Sequence, residues 1–162
     1  MNSHVFQITK SRIFEPFQLD ANALATFNNR FFEYCYNLSQ DERLRVIRQF
    51  VNECLPSGMF TLIGTDVVRY NGGFREWFKC WTEKLHELSD NIAPDTVRGY
   101  FGSSYSRLKE FIENPLEMPV KFYLCEDGEN RYCDNAADFM RSISELREGD
   151  CLYIGAVLGY YV

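Results

Sequence analysis

The sequence predicts an α+β protein, with a mainly helical N-terminal two-thirds packed against a C-terminal β-hairpin–helix–strand unit. Two observations support this fold class. Apolar residues recur at helical spacing through much of residues 18–114, whereas residues 118–162 contain two short strand patterns, a helix pattern and a long apolar strand. We therefore expect a single domain over residues 1–162 with a mostly antiparallel sheet, in which 18–114 and 118–162 are sub-lobes.

The C-terminal hairpin is predicted from Asp127-Gly128, a dipeptide typical of two-residue turns. Strands are expected at Val120–Cys125 and Glu129–Cys133. The turn fixes the cross-strand pairs as Glu126 with Glu129, Cys125 with Asn130, and Phe122 with Cys133. This register places Cys125 and Cys133 on opposite faces of the sheet, which excludes a disulfide between them, whereas a bulged three-residue turn would change the pairing.

A helix at Asp134–Arg147 and a strand at Cys151–Val162 complete this unit. Strict alternation along the last strand predicts one wholly apolar core face, made of Leu152, Ile154, Ala156, Leu158, Tyr160 and Val162. The opposite face carries Gly155 and Gly159, which permit close approach of another part of the chain or of a ligand. A strand that follows a helix crossover could also run parallel to a hairpin strand.

The N-terminal part is predicted to begin with an extended segment, residues 5–17, that ends at Pro16 and supplies an edge strand to the sheet. A helix is then expected from Asp20, with an apolar face formed by Leu24, Phe27, Phe31, Cys35 and Leu38. Ser39 and Glu42 form a capping box that starts a second helix, which stops at residues 56–58. The two helices are expected to form an antiparallel hairpin.

The middle of the chain begins with an ambiguous segment, Met59–Tyr70, which fits a short strand followed by a helical turn from Asp66. A strong apolar helix face follows at Phe74, Trp77, Phe78, Trp81, Leu85 and Leu88. Pro94 fits the first position of a short helix, and Ser103 fits the N-cap of a further helix over residues 104–113.

Composition limits the classes of function. The net charge of −6 disfavours generic binding to a phosphate backbone, because that affinity comes from Lys and Arg. The chain has no signal-peptide pattern and no apolar run of the length that a membrane span needs, so we expect a soluble, cytoplasmic protein without a membrane partner. Six dispersed cysteines, expected to be reduced, and two histidines predict no metal site, and the chain has no glycine-rich phosphate loop for a nucleotide cofactor.

One segment favours a sharper hypothesis. Residues 77–112 resemble a helix-turn-helix arrangement, although the turn lacks a glycine and the segment is not basic. Its candidate nucleic-acid contacts are Thr96, Arg98, Ser103, Ser104 and Arg107.

The sequence therefore leaves three functions open. The first is a non-catalytic interaction or regulatory protein that binds an unidentified protein partner through an aromatic surface or a sheet edge. The second is a DNA-binding regulator that uses residues 77–112. The third is a small enzyme of unrecognised type, for which the sequence identifies no catalytic residue; the single plausible base, His86, borders an apolar helix stripe and is more typical of a surface histidine.

Overall fold

The computed structural model of the protein describes residues 3–22, 34–94, 103–118, 120–126, 129–133 and 136–161. In these ranges seven strands form one sheet: β1 (Ser3–Thr9), β2 (Tyr34–Asn37), β3 (Phe60–Ile63), β4 (Val67–Tyr70), β5 (Val120–Glu126), β6 (Glu129–Cys133) and β7 (Cys151–Tyr161). The helices discussed below are α1 (Gln40–Gln49), α2 (Phe74–Asp90), α3 (Ser104–Glu113) and α4 (Ala136–Ile143). The strand order is β3-β4-β7-β1-β5-β6, and β2 also pairs with β7.

The predicted α+β class and the mostly antiparallel sheet are confirmed, because β1 with β5 is the parallel pair and the other described pairings are antiparallel. The prediction of a mainly helical N-terminal two-thirds is matched only in part, because strands lie there as well as the helices α1 to α3. Strands β1 to β4 all lie within residues 3–70 and join the same sheet as β5 to β7. The sheet therefore contains strands from both predicted sub-lobes.

Strand β1 joins the sheet as predicted, but it is an interior strand and not an edge strand. It pairs antiparallel with β7 on one side and parallel with β5 on the other. Consecutive residues of a strand point to opposite faces, and Val5 and Phe6 are both fully buried. Apolar burial on both faces is typical of a strand in the middle of a covered sheet.

Residues Tyr34–Asn37 form strand β2, so the predicted helix does not extend to Leu38; residues 23–33 lie outside the described ranges. The start of that prediction agrees with the structure, since Asp20 accepts a hydrogen bond of 2.8 Å from the amide of Asn22. Strand β2 pairs with the end of β7, where Cys35 opposes Tyr160. A short aromatic run fits both helix and strand periods, and here the pairing with β7 decides between them.

The local signals predict some of the shorter elements correctly and one of them wrongly. The capping box at Ser39 and Glu42 starts α1 as predicted. The ambiguous segment forms the hairpin β3–β4, so the helical turn proposed from Asp66 is wrong and Val67–Tyr70 is a strand. In the second hairpin all three predicted pairs, Phe122 with Cys133, Cys125 with Asn130 and Glu126 with Glu129, are confirmed. The turn Asp127-Gly128 itself lies outside the described residues.

The main core lies between one face of the sheet and the helices α1 and α4. Its centre is a group of phenylalanines in which Phe6 stacks on Phe50 with ring centroids 4.3 Å apart, and Phe122 stacks on Phe139 at 4.4 Å. The Phe50 ring joins the two pairs, since it lies 5.9 Å from the ring of Phe122. Part of the high aromatic content of the chain therefore lies in the main core.

A bulge in β7 changes the faces predicted for that strand. Ile8 pairs with Ile154 but Phe6 pairs with Val157, so β7 has one extra residue opposite Gln7. Leu152, Ile154 and Val157 consequently lie in the main core, whereas Ala156, Leu158 and Tyr160 lie in a second, smaller cluster. The expectation of a single apolar core face is wrong beyond the bulge because the extra residue reverses the alternation. The last strand also pairs with neither β5 nor β6, so it does not run parallel to a strand of that hairpin.

Two side chains hold the bulge in place. The fully buried Gln7 accepts hydrogen bonds through Oε1 from the amides of Ala156 at 3.1 Å and Leu19 at 3.0 Å, and its Nε2 donates to the carbonyl of Phe17 at 3.1 Å. Arg43 donates to the carbonyls of Ile154 and Gly155 at 3.0 and 2.7 Å, between the positions where β4 and β2 pair with β7. Arg43 thus satisfies backbone groups that no strand reaches there.

The two glycines of β7 allow side chains from other parts of the protein to lie against this strand. A Cβ at Gly155 would lie 2.6 Å from Oε1 of Gln7, and a Cβ at Gly159 would collide with the ring of Tyr36. The close approach predicted from the glycines is therefore made by Gln7 and by Tyr36 of β2.

Candidate interaction surface on helices α2 and α3

Helix α2 differs from its neighbours in how its apolar face is used. It begins after Gly73, whose positive φ of 93° suits glycine, and it runs for 17 residues. None of its residues is buried. By contrast, the shorter α4 buries Ala136, Phe139, Met140 and Ile143. The apolar pattern of α2 was predicted, but the sequence did not indicate that this face remains partly exposed.

A continuous series of aromatic rings, here called the aromatic ladder, runs along the apolar face of α2 and ends on α3: Phe74, Trp77, Phe78, Trp81 and Phe111. Ring centroids are 5.8 Å apart for Phe74 and Phe78, 5.6 Å for Phe78 and Trp81, and 5.9 Å for Trp81 and Phe111 of α3. Phe74 and Trp77 pack against the main core and attach the ladder to the sheet. Phe78 is 45% exposed, so the middle of the ladder is open to solvent.

Helix α3 lies beside α2 in the antiparallel sense. Trp81, in the middle of α2, contacts Phe111 near the end of α3, while Leu88, late in α2, lines a cleft with Arg107 near the start of α3. Tyr105 and Ile112 of α3 are 56% and 44% exposed. The helix pair therefore presents several large apolar side chains to solvent.

Two buried polar atoms beside Phe111 lack hydrogen-bond partners in the described part of the chain: Nε1 of Trp81 and Oδ1 of Asn114. An unsatisfied buried group of this kind costs about 1–3 kcal/mol. Both atoms belong to the α2–α3 unit. The buried polar atoms of this unit are thus not all satisfied within the described residues.

A cleft of about 400 Å³ opens between the two helices. It is lined by Lys84, Leu88, Arg107, Glu110, Phe111, Asn114, Glu117 and Met118. Two contacts fix Lys84 in the wall of the cleft. Its Nζ forms an ion pair with Glu117 and lies 4.8 Å from the centroid of the Phe111 ring. Asn114 fixes the other wall by donating from Nδ2 to the carbonyl of Met118 at 2.7 Å.

The structure describes three of the five residues that were predicted to contact nucleic acid. Thr96 and Arg98 lie outside the described residues. Ser103 is buried, and its hydroxyl accepts from the amide of Ser106 at 3.2 Å, so it acts as the N-cap predicted for α3. Ser104 is half-buried at the first position of α3, and Arg107 is exposed in the cleft. The structure thus brings three of the five residues to the first turns of one helix.

Metal-binding side chains do not gather at one place in the described part of the chain. The described residues contain no cluster of three or more His, Cys, Asp or Glu side chains that fits a metal ion. Burial raises the pKa of Cys54 to about 11, so its thiolate, the nucleophilic form, is scarce at neutral pH. His4 lies half-buried in β1 and not in a free terminus, and burial lowers its pKa.

Comparison of the chain with protein-family models, with curated proteins and with solved structures found no match. Across the described ranges, none of the helices is both long and apolar enough to cross a bilayer.

Proposed function

We propose that this protein is a non-catalytic, cytoplasmic interaction or regulatory protein that binds a protein partner through the aromatic ladder. The observation that carries the proposal is that α2, a 17-residue helix with six aromatic or leucine residues on one face, buries none of them. Partly exposed aromatic side chains anchored in a folded scaffold are typical of the centres of protein interfaces. The open Phe78 and the exposed Tyr105 and Ile112 enlarge the available apolar area.

The charges around the ladder favour a partner that is itself apolar at the contact. Within residues 74–94 and 103–113 there are five basic and six acidic side chains: Arg75, Lys79, Lys84, Arg107 and Lys109 against Glu76, Glu83, Glu87, Asp90, Glu110 and Glu113. A surface with this balance attracts neither a polyanion nor a polycation strongly. We therefore expect the partner to present leucine, isoleucine or aromatic side chains to the ladder.

The proposal predicts that position 78 is covered by one defined protein in the cells that produce this chain. A photo-cross-linking amino acid at position 78 is expected to give one dominant adduct, identified by mass spectrometry. Ile63 of β3 provides a matched control, because it is 43% exposed against 45% for Phe78 and lies outside the helix pair. The adduct is expected to be absent when the cross-linker is at position 63. Equal adducts at both positions, or none at position 78, would contradict the proposal.

The DNA-binding alternative rests on the exposed Arg107 and on Ser104 at the start of α3. The acidic side chains nearby predict that mixed-sequence duplex DNA does not bind, because phosphate affinity requires a surplus of Lys and Arg. Fluorescence anisotropy at low and near-physiological salt tests this directly. Salt-sensitive binding that disappears in Arg107→Ala would favour the DNA-binding hypothesis over the protein-interaction hypothesis.

A further inference from the structure

The cleft between α2 and α3 contains two charged groups that the fold does not use. Among the residues that line it, Lys84 is committed to Glu117 and to the ring of Phe111. Arg107 and Glu110 have no side-chain hydrogen bond or ion pair with any described residue, and they do not pair with each other within 4.0 Å. The cleft therefore offers one uncommitted guanidinium and one uncommitted carboxylate.

These two groups lie close to each other and next to an apolar floor. Residues three apart on a helix are neighbours, with Cβ atoms about 5–6 Å apart, so Arg107 and Glu110 line the same side of α3. Leu88, Phe111 and Met118 supply apolar surface beside them. A volume of about 400 Å³ is within the range of small-molecule sites.

We propose that this cleft binds a small zwitterion with an apolar side chain, that is, a free hydrophobic α-amino acid. Its carboxylate accepts hydrogen bonds from the guanidinium of Arg107, and its ammonium donates to the carboxylate of Glu110. Its side chain covers Leu88, Phe111 and Met118. This ligand neutralises both uncommitted charges together, whereas a simple anion would meet Glu110 and a simple cation would meet Arg107.

The inference does not depend on the proposed protein partner, because it concerns a different set of side chains that shares only Phe111 with the aromatic ladder. Arg107 and Glu110 are both exposed, so substitutions there leave the fold intact. Binding of an amino acid and binding of a protein are thus measured separately, and either result stands without the other.

The test is amide chemical-shift mapping of the full chain titrated with L-leucine, in comparison with N-acetyl-L-leucine, which lacks the ammonium, and L-leucine methyl ester, which lacks the carboxylate. L-leucine is expected to shift amides of residues 84–88 and 107–118. Because loss of one charge-assisted hydrogen bond weakens binding by about tenfold, each blocked compound is expected to have a dissociation constant about tenfold higher.

The variants assign each charge to one end of the ligand. Arg107→Gln is expected to bind leucine and its methyl ester equally, and Glu110→Gln is expected to bind leucine and its N-acetyl derivative equally. Arg75→Gln and Glu148→Gln make the same charge changes on side chains that do not line the cleft and are expected to keep wild-type discrimination. Shifts outside the cleft, no shifts at all, or equal binding of all three compounds to the wild-type chain would overturn the proposal.

Discussion

Replacing Gln7 with leucine is expected to lower the free energy of unfolding by about 4 kcal/mol, because three backbone groups lose their buried partner. Leucine keeps most of the side-chain volume, so the loss comes from hydrogen bonding and not from a cavity. The amides of Ala156 and Leu19 and the carbonyl of Phe17 would all be left unsatisfied or would have to reach water. Urea unfolding of the wild-type and variant chains measures the difference.

Gln49→Leu is the matched control for this prediction. Gln49 is exposed at the end of α1, where its side chain donates to Glu53 at 3.2 Å, and surface changes of this kind are expected to alter stability by about 0.5 kcal/mol or less. If Gln7→Leu proved as mild as Gln49→Leu, the bulge in β7 would not depend on Gln7. The described role of Gln7 in holding residues 17–19 against β7 would then be wrong.

Phe122→Ala is expected to cost about 4 kcal/mol, as large-to-small changes at fully buried aromatic positions do. Phe122 has no exposed surface, and its ring lies between Phe139 at 4.4 Å and Phe50 at 5.9 Å. Its removal leaves a cavity at the point where the parallel pair β1–β5 meets α4. Thermal and urea unfolding both report this loss.

Phe14 provides the corresponding control, because the same change is made at a phenylalanine that is 70% exposed. Phe14→Ala is expected to change stability by about 0.5 kcal/mol or less. Similar losses at positions 14 and 122 would show that the phenylalanine cluster is not the centre of the core. They would also remove the contrast between the packed core and the open aromatic ladder.

The sequence predicted the elements whose signals are local. The capping box at Ser39 and Glu42, the N-cap at Ser103 and the register of the β5–β6 hairpin are all confirmed. Each depends on residues within a few positions of one another. The same locality explains why α2 and α3 were placed within two residues of their observed bounds.

The sequence could not predict features that depend on distant residues. Strand β1 is interior because β7 and β5, more than 100 residues later, pair on its two sides. Strand β2 forms where the end of β7 offers an open edge to Tyr34–Asn37. The bulge opposite Gln7 reverses the faces of β7, and strict alternation in the sequence contains no sign of it.

The candidate surface was likewise predicted only in its local features. Helical spacing identified the apolar face with Phe74, Trp77, Phe78 and Trp81, but the same spacing serves a buried stripe and an exposed one. Exposure depends on what packs against α2, and that is decided by the rest of the fold. Of the contacts proposed for DNA, Ser103 was better explained by its local role as an N-cap than by its position in a helix-turn-helix-like segment.

Hydroxyl-radical footprinting of Phe78 tests the central claim most directly, since it measures the solvent access of one ring in the purified chain and in the cells that produce it. The ring is 45% exposed in the free chain, so it should be modified readily there. The account predicts strong protection of Phe78 in cells, with Ile63 modified to the same extent in both settings. Equal modification of Phe78 in both settings would contradict a protein partner at the aromatic ladder.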